Sequence, residues 1–176
     1  VTMKLWEGPN GEMPESGCCT ASDSEDARRV ASKLDIPYYV LDYTESFSKN
    51  VVDNFTQMYA QGLTPNPCVE CNRSVKFDHF INQAKKLNCD KVATGHYAKI
   101  IKNNDKYELH KADYLDKDQS YVLHMLKSSD LENITFPLGE ISKPDVRQIA
   151  ARIGLKTAFK KDSQDICFVG KKDYRS

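Results

Sequence analysis

The sequence predicts an α/β fold in which a parallel sheet is covered by helices. Short segments of β-branched and aromatic residues alternate with segments of helical period from residue 1 to residue 95, an alternation typical of parallel sheets. Hydrophobic residues make up 40% of the chain and charged residues 28%, as in ordinary globular domains. Because ligands in such folds bind at the carboxyl ends of the strands, we expect loops 7–20, 61–72 and 95–98 to form the site.

The first elements are a strand and a helix. Residues 1–6 (VTMKLW) have the pattern of a short strand. Ser24 is a candidate N-cap, because Asp26 supplies first-turn charge and apolar residues at helical spacing follow it up to Leu34,. We expect this helix to end at Ile36-Pro37, since the residue before a proline disfavours helical backbone.

The next elements continue the alternation. Residues 38–42 (YYVLD) predict a strand, and residues 45–60 return to helical period,. Gly62, Pro65 and Pro67 indicate a loop at 61–72,. The pattern then predicts a helix at 74–87 with one apolar face and a strand at 91–94,.

Residues 97–176 have a more mixed α+β pattern. Asn103-Asn104-Asp105 predicts a hairpin turn between strands at 97–101 and 106–111,. We expect further elements in chain order: a helix near 119–127, a helix at 143–153 ended by Gly154, and a strand near 165–169.

The charge is unevenly distributed although the net charge is zero. Residues 141–176 hold nine Lys or Arg against four Asp, a balance of +5, so the rest carries −5. This basic C-terminal segment suits a phosphate-binding face, and a solvated surface is the alternative. No apolar run approaches the roughly 20 residues that span a bilayer, and no signal peptide opens the sequence, so we expect a cytoplasmic protein without a membrane partner.

The six cysteines indicate chemistry or packing more than a disulfide scaffold. Without an export signal, such cysteines are more often buried, metal-binding or catalytic. Cys18, Cys19 and Cys89 have no spacing that suggests a function. The chain also begins with Val1, and it ends without helix-end or turn chemistry, so we expect part of a longer protein.

The segment from Gly62 to Arg73 (GLTPNPCVECNR) is the strongest candidate for a reactive site. One glycine and two prolines stiffen it, which suits the mounting of a reactive group. Cys71 would lie just before a helix, whose unpaired N–H groups favour a thiolate, and Arg73 would add positive charge. The alternatives are a structural turn and a half-zinc site, and one C-x-x-C pair is weak support for zinc, which takes four ligands.

Three other segments carry weaker signals. Cys167 lies in an apolar segment, where a buried core cysteine is the simpler interpretation unless a partner thiol lies elsewhere. The Gly95-His96 pair at a strand end permits close approach of a ligand and proton transfer, and a structural histidine is equally consistent. Asp118, in the polar cluster 117–121, could be an N-cap and nothing more.

Six segments in order resemble the tRNA-specific 2-thiouridylase family (MnmA/TrmU). Each alone is modest support, but six in family order along nearly the whole chain are very specific. They are MKLWE (3–7), GLTPNPCVECNRSVKF (62–77), ATGHY (93–97), KDQSY (117–121), FPLGE (136–140) and KDSQDICFVG (161–170).

The resemblance implies a catalytic domain of the PP-loop ATP pyrophosphatase type (adenine nucleotide alpha hydrolase-like), then a tRNA-binding annex and a β-barrel. We therefore expect a catalytic domain at 1–112 and the annex at 113–176. The implied reaction uses ATP with Mg²⁺ to adenylate the wobble uridine of tRNAs with Lys, Glu or Gln anticodons. A persulfide, supplied by a cysteine desulfurase or a sulfur-relay protein, then delivers sulfur to C2.

The resemblance also implies roles for individual residues. Cys167 would carry the persulfide and Cys71 would be its catalytic partner, with a disulfide as intermediate. Other matching positions fall into three groups: nucleotide contacts at Met3 and Gly95; the target-base segment Asn66, Pro67 and Cys68; and tRNA contacts at His96, Lys117, Asp118 and Gln119. A base must leave its stack to be modified, which a rigid loop can assist.

The sequence departs from the family pattern in two respects. The glycine- and serine-rich PP-loop (SGGVDSS type) that precedes the first strand is absent, as is the C-terminal barrel, so we expect this stretch alone to bind ATP weakly and to be inactive. Many members also have Asp at the position of Cys68. With Cys71 and Cys167, three thiols could ligate a [4Fe–4S] cluster and leave one iron position open for sulfur.

Two other function classes stay open. A related adenylating amidotransferase or synthetase would share the sheet but would not need Cys71 and Cys167 together. A non-catalytic fragment that binds tRNA or a sulfur-relay protein would depend on the basic C-terminal segment, with strong salt dependence, and its cysteines would be dispensable.

Overall fold

The structure is a computed structural model that describes residues 1–7, 20–160 and 166–169. The chain divides into two compact units. The first unit comprises Val1–Pro67 and Phe159–Ser176, and the second comprises Cys68–Ala158. The domain division at residue 112 stays a prediction. None of the helices in the described ranges is long and apolar enough to cross a membrane.

The first unit contains a parallel strand pair and three helices. The pair joins β1 to β2, with Met3 opposite Leu41. The elements are β1 (Thr2–Lys4), α1 (Ala21–Lys33), β2 (Val40–Asp42), α2 (Thr44–Phe47) and α3 (Asp53–Ala60). A π-helical stretch, Ser48–Val52, makes α2 and α3 one continuous helical segment, so the helix predicted at 45–60 is confirmed with a widened turn in its middle.

The ends of these helices follow from local chemistry. Thr20, not Ser24, caps α1: its Oγ1 accepts from the Asp23 amide at 3.1 Å, and the Asp23 carboxylate accepts from the Thr20 amide, which is a capping box. Ser24 instead exchanges a hydrogen bond with the hydroxyl of Tyr38. Gly62 follows α3 with φ of +77°, a conformation that glycine adopts without steric cost.

The second unit begins with a long helical segment that enters the predicted loop. Helix α4 (Pro67–Glu70) is followed without a break by a π-helical stretch (Cys71–Phe77) and by α5 (Asp78–Lys86). Proline is favoured in the first helical turn because the N–H it lacks would have no partner there. The loop predicted at 61–72 therefore ends at residue 66.

Strands and short helices complete the second unit. The elements are β3 (Val92–Ala93), β4 (Ala98–Asn103), β5 (Lys106–Lys111), β6 (Ile134–Thr135), α6 (Lys143–Arg152) and 3₁₀ turns at Leu115–Lys117, Ser120–Val122, Leu131–Asn133 and Lys156–Phe159. β4 and β5 form the predicted hairpin, and β3 pairs in parallel with β6. The core includes Phe77, Ala98, Leu123 and Ile134.

Three sequence predictions need correction. The strands pair in parallel as predicted, but in the described part of the chain they form two separate pairs, β1 with β2 and β3 with β6, and not one sheet. β6 is two residues long, too short for its pattern to be visible in the sequence. Residues 119–127 form a 3₁₀ turn and further turns instead of one helix. The described part of the strand predicted near 165–169 is a turn closed by the Val169 amide on the Ile166 carbonyl; residues 161–165 lie outside the described ranges. The tRNA-binding annex stays a prediction.

Candidate functional site

The Cys71 segment is helical, which changes the argument for its reactivity. Cys71 lies one turn inside the helix that begins at Pro67 and is 6% exposed, whereas Cys68 is exposed. The prediction that Cys71 lies just before a helix is therefore wrong. Cys71 is the first residue of the π-helical stretch. Such stretches are rare in proteins, and those that occur are often found at functional sites. Asn66 is exposed and Pro67 is buried.

Arg73 does not act as an isolated positive charge beside Cys71. Its guanidinium donates two hydrogen bonds to the Glu70 carboxylate, from Nη2 at 2.6 Å and from Nε at 3.1 Å. The hydrogen bonds and charge of Glu70 raise the pKa of Arg73. The charge expected from Arg73 is thus compensated within one helical turn.

Asn72 ties the Cys71 helix to Val122, the residue that follows the KDQSY segment. It is 2% exposed, and its Nδ2 donates to the Val122 carbonyl at 3.1 Å. A buried amide that bridges two segments fixes their spacing, because breaking the bond would leave a buried polar group unsatisfied. Sequence reasoning missed Asn72, although a polar residue between apolar helix positions is a detectable signal.

Asp118 and Gln119 organise the loop that carries them. The Asp118 carboxylate accepts from the Ala112 amide at 2.8 Å and from the Ser120 hydroxyl at 2.7 Å. Burial alone would raise the pKa of Asp118, but these hydrogen bonds outweigh it and lower the pKa. The main-chain amide of Tyr97 donates to the side-chain oxygen Oε1 of Gln119 at 3.0 Å. In return, the main-chain amide of Gln119 donates to the Tyr97 carbonyl at 2.8 Å. Lys117 is half-buried.

His96 lies in a mostly apolar setting. Its ring contacts those of Phe77 and Phe136, with centroids 6.0 and 5.9 Å away, and its Nδ1 is 2.8 Å from Thr94 Oγ1. Desolvation, and secondarily the charge of Lys76, lowers the pKa of His96 to about 4. The imidazole is therefore neutral at pH 7, able to hydrogen-bond but not to serve as a cation.

Two glycines in this region differ in the space around them. Gly95 is exposed, and a Cβ there would meet only Leu138 Cδ1, at 3.9 Å. At Gly139 a Cβ would lie 2.1 Å from the Ala98 carbonyl oxygen. Gly139 is therefore required for packing of the FPLGE segment against β4, whereas Gly95 leaves room beside the chain. The packing role of Gly139 was not predicted from the sequence.

The second unit thus brings four of the six family-like segments together. The hydrogen bond from Asn72 joins GLTPNPCVECNRSVKF to Val122, which directly follows KDQSY. Gln119 joins KDQSY to ATGHY, and FPLGE packs on ATGHY through the ring of Phe136. These contacts are local to Cys68–Ala158 and place their polar groups around a common core.

The first unit brings together the other two segments. Phe168, beside the half-buried Cys167, packs against Trp6 with 6.2 Å between ring centroids. Trp6 follows β1, in which Met3 is half-buried. The MKLWE segment is therefore in contact with the Cys167 turn, and Phe168 was not among the predicted site residues.

The [4Fe–4S] hypothesis combines Cys68 and Cys71 of the second unit with Cys167 of the first unit, and it stays a prediction. Within the described ranges, no group of three His, Cys, Asp or Glu side chains is arranged to hold a metal ion. We therefore derive no step through a [4Fe–4S] cluster.

Comparison with known proteins identifies the family. The family model described as "tRNA methyl transferase HUP domain" matches residues 1–171. The tRNA-specific 2-thiouridylase MnmA of Chloroflexus aurantiacus (strain J-10-fl) is 49% identical over 177 residues, covering 100% of this chain and 49% of that protein.

Two clostridial relatives match the chain to a similar extent. The 2-thiouridylase MnmA of Clostridium perfringens (strain ATCC 13124) is 48% identical over 96% of this chain and 47% of its own length. That of Clostridioides difficile (strain 630) is 48% identical over 99% of this chain and 49% of its own. The chain spans about half the length of these curated relatives. Since the family model covers nearly all of it, the chain belongs to the tRNA methyl transferase HUP domain family.

Proposed function

We propose that the protein containing this chain is a transferase that puts sulfur on C2 of the wobble uridine of tRNA in an ATP-dependent reaction. The observation that carries the proposal is 48–49% identity, over essentially the whole chain, to proteins named tRNA-specific 2-thiouridylase. The contacts among the family-like segments support it, because they hold the predicted tRNA-contacting residues in one arrangement. The substrates are tRNAs with Lys, Glu or Gln anticodons.

ATP is the second substrate, and its Mg²⁺ would neutralise phosphate charge. Gly95 suits a nucleotide contact because it is exposed and no neighbouring atom fills the space that a side chain would take, so a ligand could approach its backbone. Met3 would contribute from β1. The uridine oxygen at C2 attacks the α-phosphate and displaces pyrophosphate, which makes AMP the leaving group for the next step.

Sulfur transfer uses the two cysteines in sequence. The terminal sulfur of a Cys167 persulfide attacks C2, and AMP leaves with the electron pair of the C–O bond. The Cys71 thiolate then attacks Sγ of Cys167. The S–S bond to the transferred sulfur breaks, its electron pair completes C2=S, and a Cys71–Cys167 disulfide forms. A thiol reductant restores both cysteines, and a cysteine desulfurase or sulfur-relay protein restores the persulfide.

The polar residues of the second unit would hold the tRNA. His96 is neutral at pH 7, so it would act as a hydrogen-bonding group toward RNA. Asp118 and Gln119 would fix the loop, and Lys117 would meet a phosphate. Asn66, Pro67 and Cys68 would line the position of the extruded base.

The test compares Cys71→Ser and Cys167→Ser with Cys89→Ser in the full-length protein. Cys89 is exposed and serves as the matched control. We expect both test variants to lose 2-thiouridine formation while still binding tRNA, and Cys167→Ser to lose the sulfur atom that the desulfurase adds to the wild type, measured by mass spectrometry.

Other outcomes identify the competing functions. A double Cys71→Ser, Cys167→Ser variant that retains its activity would favour an adenylating amidotransferase or synthetase. A wild-type protein that binds tRNA without modifying it would indicate a non-catalytic binding protein. A methylated nucleoside in place of a thiolated one would support the reaction named in the family description.

A further inference from the structure

A cleft of about 280 Å³ opens on the second unit, lined by none of the residues to which the family resemblance assigns a role. Lysines supply most of the charge on its walls, and one carboxylate opposes them. The charged and polar side chains that line it are Lys91, Lys99, Lys102, Tyr107, Thr135 and Glu140. Such a lining suits an anionic ligand.

The three lysines differ in whether a carboxylate is paired with them. Lys99 forms an ion pair with Asp113. Within the described ranges neither Lys91 nor Lys102 forms an ion pair, and the Lys102 ammonium lies 5.6 Å above the ring of Tyr107. A cation over an aromatic face keeps its positive charge, so Lys91 and Lys102 remain uncompensated by direct pairing.

The cleft adjoins the loop around His96. Phe136 lines the cleft and also packs edge-on against His96. Lys99 follows Ala98, the residue on which Gly139 packs. The FPLGE segment is thus one wall of the cleft and, on its other side, a support of the ATGHY loop. A ligand that contacts His96 and is longer than one nucleotide could continue into the cleft.

We propose that this cleft binds the phosphate backbone of the tRNA through Lys91 and Lys102. The position favours an extended polyanion: Phe136 both lines the cleft and packs against His96, a proposed tRNA contact, so a nucleic-acid backbone that meets His96 continues beside Lys91 and Lys102. Lysines act as point charges that position a backbone without reading its sequence. This inference rests on the proposed function for its choice of RNA.

The test measures tRNA binding by the full-length protein as a function of salt. A Lys91→Ala, Lys102→Ala variant is compared with a Lys85→Ala, Lys86→Ala variant, which removes the same charge from exposed lysines at the end of α5. We expect the cleft variant to lower the slope of log K against log salt by about 1 to 2, since each lost phosphate contact removes about 0.7–0.9. The control should keep the wild-type slope.

Each possible result of this experiment either supports or overturns the proposal that the cleft binds the tRNA backbone. A cleft variant with the wild-type slope, or a control with the same loss, overturns the proposal, as does wild-type protein that does not bind tRNA. Loss of ATP affinity with unchanged tRNA binding would make the cleft a small-nucleotide site and would also overturn it. If the slope falls as expected but the wild type makes no 2-thiouridine, the cleft stands and the proposed function fails. If the wild type makes 2-thiouridine but the cleft variant keeps the wild-type slope, the proposed function stands and the cleft proposal fails.

Discussion

The ring of Phe168 packs edge-on against that of Phe47, with 5.8 Å between centroids and 72° between planes. Phe47 is completely buried, and Trp6 and Phe55 contact the same Phe168 ring at 6.2 and 5.4 Å. Since Phe168 directly follows Cys167, this aromatic cluster fixes the backbone from which the thiol projects.

If Cys167 carries the persulfide as proposed, replacing Phe168 by Ala should impair sulfur transfer without weakening tRNA binding. The loss of three ring contacts frees the turn, so the thiol spends less time in a productive position. We expect kcat for thiolation to fall at least about tenfold, which is about 1.4 kcal/mol, with KM for tRNA unchanged. Steady-state kinetics and the alkylation rate of Cys167, followed by mass spectrometry, measure both effects.

Two further variants separate positioning from general destabilisation. Phe168→Leu keeps most of the apolar volume and should restore much of kcat. Phe159→Ala, at a ring that is 79% exposed, should change nothing. If Phe168→Ala raised KM instead, or left kcat at the wild-type value, the ring would not position Cys167.

Gly95→Ala tests the nucleotide contact. The added Cβ would meet only Leu138 at 3.9 Å, an ordinary contact, so we expect the free energy of unfolding to change by less than about 0.5 kcal/mol. If ATP lies against this backbone, the methyl group collides with it and the ATP affinity of the full-length protein falls about tenfold or more. Calorimetric titration with ATP measures the affinity, and an unchanged value would remove Gly95 from the nucleotide site.

Gly139→Ala should have the opposite profile. Its Cβ would lie 2.1 Å from the carbonyl oxygen of Ala98 and 2.9 Å from the carbonyl carbon, so the backbone of β4 or of the FPLGE turn must shift. Overpacking of this kind costs about 1–3 kcal/mol. Urea unfolding should show this loss relative to Gly95→Ala, the matched control. A fully stable Gly139→Ala variant would mean that the turn relaxes freely.

Segments that have a clear hydrophobic period, or turn residues at their ends, could be predicted from the sequence. The hairpin at β4 and β5 and helix α6 were, because Asn103-Asn104-Asp105 marks the hairpin turn and Gly154 marks the end of the helix,. The strand β6 could not be, since two residues carry no period and their pairing depends on β3, more than forty positions away. The start of the Cys71 helix was missed for a local reason: Pro67 was interpreted as a loop residue although proline also suits a first helical turn.

The residues of the candidate site could be predicted from the sequence, but the hydrogen bonds between them could not. The family-like segments contain Cys71, His96 and Gln119, but the hydrogen bonds that join those segments could not be predicted from the sequence. They run from the Asn72 amide to a main-chain carbonyl and from a main-chain amide to the Gln119 side chain. Partners of this kind leave no residue-type signature in a single sequence, because any residue supplies a carbonyl or an amide.

His96 should make stability depend on pH in a defined window. Its pKa is about 4 in the folded chain and about 6.5 when unfolded. The unfolded state therefore binds a proton first as pH falls. The stability contributed by the neutral ring is complete above pH 6.5 and is lost progressively toward pH 4, by an amount on the order of 3 kcal/mol.

Urea unfolding between pH 4.5 and 7.5, for the wild type and His96→Gln, isolates this contribution as the difference between the two curves. Glutamine retains a polar group beside Thr94 but does not titrate. We expect the two pH profiles to run parallel above pH 6.5 and to diverge below it. An NMR titration that placed the His96 midpoint near 6.5 would contradict the burial argument.

Gln119 allows its structural role to be separated from a tRNA contact. Its Oε1 accepts from the amide of Tyr97, which is 4% exposed, so Gln119→Ala leaves that donor without its acceptor at a cost of about 1–3 kcal/mol. Gln119→Glu keeps an oxygen at the same place and should keep most of the stability. If the residue also faces tRNA, the added negative charge weakens tRNA binding through repulsion by phosphate. Urea unfolding and tRNA titration of both variants decide: Gln119→Glu with wild-type tRNA affinity would leave Gln119 with the structural role alone.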